Sequence, residues 1–253
     1  MDIRLTFNED AKNYDKWRPT YCKELFNDII EYSNLNENKK AIEVGIGTGQ
    51  ATRPFLKTGC EVMAIELGQN LVEYSQEKFK EYKNLRIYNT SFEDYNGDEN
   101  SIALLYSATA FHWIPEEIGY KKVLKLLKNH GTLALFWNRP SLKDDLLNKK
   151  IQSIYQKYMP SNTVKVENDL ERYKKVSETI KSYGFKDVQV KLYKQTRNFN
   201  ASDYISLLNT YSDHRSMILS IKEVFFKEIE SAVLKNGSSI TINNTIDLYL
   251  ARK

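Results

Sequence analysis

The sequence predicts an α/β domain on a doubly wound, seven-stranded sheet, mostly parallel with an antiparallel edge strand, plus helical insertions. Three observations predict it. As far as Pro140, short apolar runs alternate with helical stretches. A glycine cluster, Gly45-Ile46-Gly47-Thr48-Gly49, follows the first of those runs. Beyond Pro140 come two further strand-like stretches with amphipathic helices between them.

Residues 40–44 are a short apolar run entering the glycines, and 50–57 read as a turn or two of helix. Residues 61–66 (EVMAIE) form a second strand. A helix over 69–82 follows, with Leu71, Val72, Tyr74, Ser75 and Phe79 on one face. Residues 85–89 and 102–107 are the third and fourth strands. Pro115 sits in a helix first turn, where its missing N–H costs nothing; that helix carries Ile118, Val123, Leu124 and Leu127 and ends near 129–131. Residues 133–137 are the fifth strand. Strands separated by helices of this length require right-handed crossovers and a sheet covered on both faces.

After Pro140 the rhythm changes. Residues 143–158 look helical, 161–172 are polar and unassigned, and 176–183 are a short helix closed by Gly184. Residues 187–194 alternate (Val188, Val190, Leu192) as a half-buried strand does. Amphipathic helices cover 203–211 and 214–234, and 240–251 return to strand character. The helices between the last two strands are an insertion, a candidate lid or substrate wall.

Composition bounds the function. The chain has 253 residues, 41% hydrophobic and 28% charged, enough apolar content for a packed core and too much for a disordered chain. The net charge is +4, with lysines in scattered pairs such as Lys39-Lys40 and Lys149-Lys150 between carboxylates, so solvated helix faces are expected and no nucleic-acid groove. No apolar run approaches the roughly 18 residues of a membrane span. The opening MDIRLTFNED has no apolar targeting core, so a cytoplasmic protein is expected. Cys22 and Cys60 make neither a disulfide framework nor a thiolate metal site, and no metal is expected.

The chemistry starts at Glu43-Val44-Gly45-Ile46-Gly47-Thr48-Gly49-Gln50, where glycines let the backbone turn sharply and a ligand approach without a Cβ in the way. Dinucleotide folds want G-x-G-x-x-G or A, which lets a helix N-terminus take a pyrophosphate. Here the third glycine comes one residue early and Gln50 fills the place of the third small residue. No Gly-Lys-Ser/Thr phosphate loop follows. The second strand ends at Glu66, whose carboxylate suits a ribose diol, although an acid ending a strand is also a common solvated cap. After the third strand, Ser91 and the Phe92 N–H could read an adenine edge. Jointly, these strand ends favour an adenosine-containing cofactor without a phosphate-binding demand.

On these residues the chain resembles the class I S-adenosylmethionine-dependent methyltransferases, with their Rossmann-like sheet, and especially the small-molecule group that includes the trans-aconitate enzymes. The matching segments are YDKWRP (14–19), IEVGIGTGQ (42–50), AIELG (64–68), SFEDY (91–95), SATAFHWI (107–114) and GTLALFWN (131–138). The resemblance implies S-adenosyl-L-methionine as cofactor, with Glu43, Gly45, Gly47 and Gly49 in the binding motif. Glu66 would lie on the ribose, Leu67 on the adenine, and Ser91 and Phe92 at the adenine amine. The family more often has Asp at the Ser91 position. Ser107 would turn its carbonyl to the cofactor's amino group, and Tyr14 and Arg18 would form an N-terminal lid reaching its carboxylate, which a guanidinium can pair bidentately.

The domain then divides into a lid and helix (1–38), a cofactor-binding core (39–139) and a substrate cover made by insertions 140–186 and 196–238. Methyl transfer needs alignment and exclusion of water, and oxygen or nitrogen acceptors can also need a base. His112, just past the fourth strand, is the candidate base; packing beside Trp113 is its alternative role. Trp113, Trp137 and Arg139 are candidates for the acceptor wall, and Tyr211, Ser212, His214 and Arg215 for a second patch. Position 107–110 reads Ser-Ala-Thr-Ala, without the Asn/Asp-Pro-Pro-aromatic of nucleobase-amine enzymes or the aspartate of metal-dependent catechol enzymes. A small-molecule methyl acceptor, with a carboxylate or hydroxyl as the candidate groups, is the expectation, for a monomer or homodimer. A non-catalytic binder of S-adenosylmethionine or S-adenosylhomocysteine, and a nicotinamide-dependent oxidoreductase, are the alternatives.

Overall fold

A computed structural model describes residues 3–142, 145–160 and 169–253. Seven strands form one sheet: β1 (Lys40–Val44), β2 (Glu61–Glu66), β3 (Leu85–Asn89), β4 (Ile102–Ala108), β5 (Leu127–Leu142), β6 (Lys186–Asn200) and β7 (Ser239–Arg252). Their order is β3-β2-β1-β4-β5-β7-β6, with β1 to β5 mutually parallel. Strand β7 runs antiparallel to β5, and the edge strand β6 antiparallel to β7, as expected for the late pair.

Helices α1 (Ala11–Trp17), α2 (Lys23–Ser33), α3 (Thr52–Leu56), α4 (Gln69–Lys78) and α5 (Glu116–Leu126) belong to the first half. The second half holds α6 (Leu146–Tyr158), α7 (Asp169–Ser182), α8 (Ala201–Leu208), α9 (Ser212–Arg215) and α10 (Leu219–Lys235). Period-two side-chain alternation splits the sheet between two cores. Ile42, Ile65, Leu105 and Leu135 face one side with Val123 of α5 and Ile180 of α7. Ala41, Val62, Leu104 and Phe136 face the other with Ile29 of α2 and Phe55 of α3. A third core lies at the far ends of β6 and β7, where α6, α8 and α10 pack on Phe199, Ile240 and Ile242.

Several boundaries differ from the pattern. Helix α5 stops at Leu126 rather than near 129–131: Leu127 is already extended and pairs with Ile102, and Gly131 is wedged against the carbonyls of Lys128 and Ile102. Strand β5 runs past Trp137 to Leu142, because β7 continues alongside it from Arg252 to Ile242. Helix α7 starts at Asp169, seven residues ahead of the predicted 176. The predicted helix 214–234 is broken into α9 and α10, so that His214 and Phe225 both turn into the third core. Residues 143–144 and 161–168, part of the predicted helix 143–158 and of the polar stretch, lie outside the described residues. Among the described residues no helix is long and apolar enough to cross a membrane.

Candidate active site

The loops after β1 to β4, with Asn138 and Pro140 of β5, open onto one cavity of about 460 Å³, and the 3₁₀ turn Ile3–Glu9 adds Arg4 and Phe7 to its wall. This is the carboxyl edge of the sheet at the point where strand order reverses, where ligands of open α/β sheets bind.

The glycine loop forms the floor. Gly45, Gly47 and Gly49 all take positive φ, of 74°, 55° and 79°. A Cβ on Gly45 would lie 2.5 Å from the Ala110 Cβ, and one on Gly49 2.2 Å from the Phe79 ring. At Gly47 the nearest atom is in the Tyr14 ring, 3.7 Å away, which leaves that face open. The loop's N–H groups are engaged inside the protein. Gly45 and Ile46 donate to the Ile65 carbonyl, Gly49 to that of Ile46, and Gly47 to Glu66 Oε2 at 2.9 Å. Glu66 Oε1 accepts from the Gly68 N–H at 2.9 Å. Glu66 thus ties the end of β2 to the loop after β1; burial pushes its pKa up, and the two N–H donors pull the other way.

Glu43 is buried behind the loop. Its Oε2 accepts from Thr52 Oγ1 at 2.7 Å and from the Tyr106 hydroxyl at 2.9 Å. Burial, reinforced by Glu66, pushes its pKa up to about 8 against those two hydrogen bonds. At the β3 end of the cavity, Ser91 Oγ donates to Asp94 Oδ2 at 2.6 Å and accepts from the Asp94 N–H, closing the turn after β3. Beside it, Arg4 pairs with Glu93 at 2.8 Å.

At the opposite end the Arg18 guanidinium lies 5.0 Å from the Tyr14 ring and 5.0 Å from the Tyr211 ring, with no ion-pair partner among the described residues. The Tyr21 hydroxyl bonds to Thr109 Oγ1 at 2.9 Å. The Asn138 side chain points both its amide atoms at no partner, and Asn244 lines the wall nearby. His112 accepts the Trp137 indole N–H on Nδ1 at 3.1 Å.

Of the residues singled out from sequence, Tyr14, Arg18, Glu43, Gly45, Gly47, Glu66, Leu67, Ser91, Phe92, His112, Trp113, Tyr211 and Ser212 line this cavity. Others do not. Gly49 faces Phe79, and the Ser107 hydroxyl donates to the Val44 carbonyl at 2.8 Å. Trp137 reaches the cavity only through His112. Arg139 turns to the fully buried Asp247 at 3.6 Å, and Arg215 to Glu9 at 3.0 Å, so each is drawn off by a carboxylate. His214 is held between Asp213 Oδ1 and the Tyr155 hydroxyl, both at 2.7 Å, inside the cover. Sequence reading missed Arg4, Phe7, Tyr21, Thr109, Asn138 and Asn244. Asn138, the last residue of the strand motif GTLALFWN, and Thr109, inside SATAFHWI, carried a usable signal.

The chain is similar to known proteins over this region. A family model described as a methyltransferase domain matches residues 41–131. An uncharacterized methyltransferase of Schizosaccharomyces pombe is 23% identical, covering 91% of this chain and 88% of its own length. A probable S-adenosylmethionine-dependent methyltransferase of Saccharomyces cerevisiae is 29% identical, covering 61% of this chain; this chain spans about half of that relative, 53%. Among solved structures, the YcgJ protein of Bacillus subtilis has a TM-score of 0.59 at 14% identity, over 92% of this chain and 99% of that one. Haemonchus contortus phosphoethanolamine N-methyltransferase 2, in complex with phosphomonomethylethanolamine and S-adenosylhomocysteine, has a TM-score of 0.60 at 13% identity, over 100% of this chain and 60% of that one.

Proposed function

We propose that this chain, which belongs to the class I S-adenosylmethionine-dependent methyltransferases, methylates a small molecule at a carboxylate or hydroxyl oxygen, held at the His112–Asn138 end of the cavity. The residues present fit the cofactor. Gly47 leaves a bare cradle, and Glu66 still has lone pairs for ribose hydroxyls beside Leu67. Phe92 and the Ser91 turn would border the adenine. Arg18 would take the methionine carboxylate with Tyr14, and Glu43 would offer its second oxygen to the ammonium. When bound, the cofactor supplies an electrophilic methyl on a sulfonium, which an acceptor lone pair attacks in line. The protein's part is alignment and exclusion of water, an effect worth about 7–11 kcal/mol.

The observation that carries this reading is the Glu66 clasp beside a glycine loop whose N–H groups are engaged internally. A ribose finds an acid there, while a pyrophosphate finds few free donors, which weighs against a nicotinamide cofactor. The bound phosphomonomethylethanolamine of the Haemonchus neighbour supports a small acceptor. In this reading the chain is one methyltransferase domain: 1–38 is the lid and helix, and 140–186 with 196–238 the cover. It acts as a monomer or homodimer in the cytoplasm, on neither nucleic acid nor membrane.

Calorimetry with S-adenosylmethionine, S-adenosylhomocysteine and NADH tests the cofactor: binding of the first two and not the third is expected. Turnover with a panel of carboxylic acids, phenols and alcohols, read as S-adenosylhomocysteine formed, tests the acceptor. Binding without turnover of any of them would favour a non-catalytic sensor.

A further inference from the structure

We propose that Trp137 is a positioning residue whose indole N–H fixes the tautomer of His112, so that His112 faces the acceptor as a hydrogen-bond donor and takes no proton from it. The inference rests on the methyltransferase reading of the cavity.

An indole N–H can only donate, so the 3.1 Å contact requires a lone pair on His112 Nδ1. A neutral imidazole has one such lone pair, and its proton then sits on Nε2. The ring keeps surface open to the cavity, so Nε2–H is the group left for a ligand. A base would need its lone pair free, and here the indole covers it. Trp137 is itself held: it is 7% exposed and its ring meets Tyr249 edge-on at 5.7 Å. The charged groups bearing on the imidazole are Arg139 from β5 and Arg18 beyond α1. Burial first, then these two cations, hold its pKa down to about 4.

Among the described residues, no carboxylate of the cavity wall is free to replace the lost base. Its three carboxylates are engaged: Glu43 with Thr52 and Tyr106, Glu66 with two backbone N–H groups, Asp213 with His214. The acceptor end instead offers the His112 Nε2–H and the Asn138 amide, which has no partner among the described residues. A site of donors without a base selects an acceptor whose attacking oxygen has lost its proton before it arrives. At neutral pH that is a carboxylate rather than an aliphatic alcohol.

Long-range proton–nitrogen correlation spectra of the full chain, labelled with ¹⁵N-histidine, read the tautomer directly; with three histidines in the sequence, His112→Gln assigns the signal. His112 should hold its proton on Nε2 and remain neutral between about pH 5.5 and 8.5, while Trp137→Phe should mix the tautomers. An Nδ1–H form, or titration near 6.5 in the parent, overturns the proposal even if the variant fails to fold.

Turnover gives a second readout with a panel of aliphatic and aromatic carboxylates. Glutamine can donate near the Nε2 position and cannot act as a base. His112→Gln should therefore recover at least about tenfold over His112→Leu, whereas loss of a base would lower both alike by about 10²–10⁴. Faster methylation of an alcohol than of its matching acid would also overturn the proposal. If no acceptor turns over, the methyltransferase reading is what fails, and the spectra still decide the tautomer.

Discussion

At single-residue scale the floor of the cavity depends on groups that ordinary side chains could not replace. Gly45 and Gly49 combine positive φ with neighbours inside 3 Å of a would-be Cβ, whereas Gly47 combines positive φ with an open face. Glu43 is the residue with a measurable pH signature. It is 1% exposed, no cation pairs with it among the described residues, and its pKa is pushed up to about 8 by burial. The unfolded chain loses that proton near pH 4.3, so between the two values the folded state holds a proton that the unfolded state has released. Stability therefore falls as pH rises from about 4.3 to 8, at up to about 1.4 kcal/mol per unit. Glu43→Gln keeps a carbonyl acceptor for Thr52 and Tyr106 and cannot ionise. Its melting temperature should stay level across that window while the parent's declines, leaving the variant the more stable at pH 8. Parallel melting curves from pH 5 to 8 would show that the carboxyl is ionised throughout.

At the scale of elements, helix α4 begins at Gly68 without a side-chain cap of its own. Asn8 supplies one from the N-terminal turn: its Oδ1 accepts from the Asn70 N–H at 2.7 Å and from the Leu71 N–H at 3.2 Å. Near the other end of α4, Asp15 holds Lys78 at 2.6 Å and the Tyr74 hydroxyl at 2.9 Å. The N-terminal segment is thereby fastened along the helix flanking the glycine loop. Asn8→Ala removes the cap, a loss of about 1 kcal/mol. Hydrogen exchange should then quicken in residues 3–17 and in the first turn of α4, with weaker S-adenosylmethionine affinity. Unchanged exchange would leave Asp15 as the fastening. This cap also marks a limit of sequence reading, because nothing local relates Asn8 to a helix 62 residues on. Strands β1, β2 and β3 were legible to the residue, since apolar runs stop at glycines or turns. Their carboxyl ends carry Glu43, Glu66 and the Ser91–Phe92 turn, so that half of the candidate site was legible too. The acceptor end was not. Thr109, Asn138 and Asn244 are brought together by the pairing of β4, β5 and β7, and the Trp137–His112 contact depends on how the chain turns after β4.

Across the whole molecule, hydrophobic burial is divided in a way that matches the division of the cavity. Two cores clamp the sheet and set the glycine loop, while the third holds α6, α8 and α10 on the far ends of β6 and β7, with Trp17 and Leu142 against it. The β5–β7–β6 ribbon joins them, and Tyr211, Ser212 and Asp213 of the proposed cover complete the cavity wall beside Arg18. Phe225 is the side chain best placed to separate the two functions. It is fully buried, with the rings of Tyr155 at 5.1 Å, His214 at 5.6 Å and Tyr158 at 6.0 Å around it. Truncating such a residue costs about 3–5 kcal/mol in lost contact and cavity. Because its neighbours belong to the cover, Phe225→Ala should speed hydrogen exchange in 201–235 and leave β1 to β4 protected. Affinity for S-adenosylhomocysteine should stay within about threefold, a difference under 1 kcal/mol, while acceptor turnover falls by tenfold or more. Equal loss of cofactor affinity and turnover would mean that cover and sheet unfold as one unit, and the cover could not then be a separate substrate-facing part.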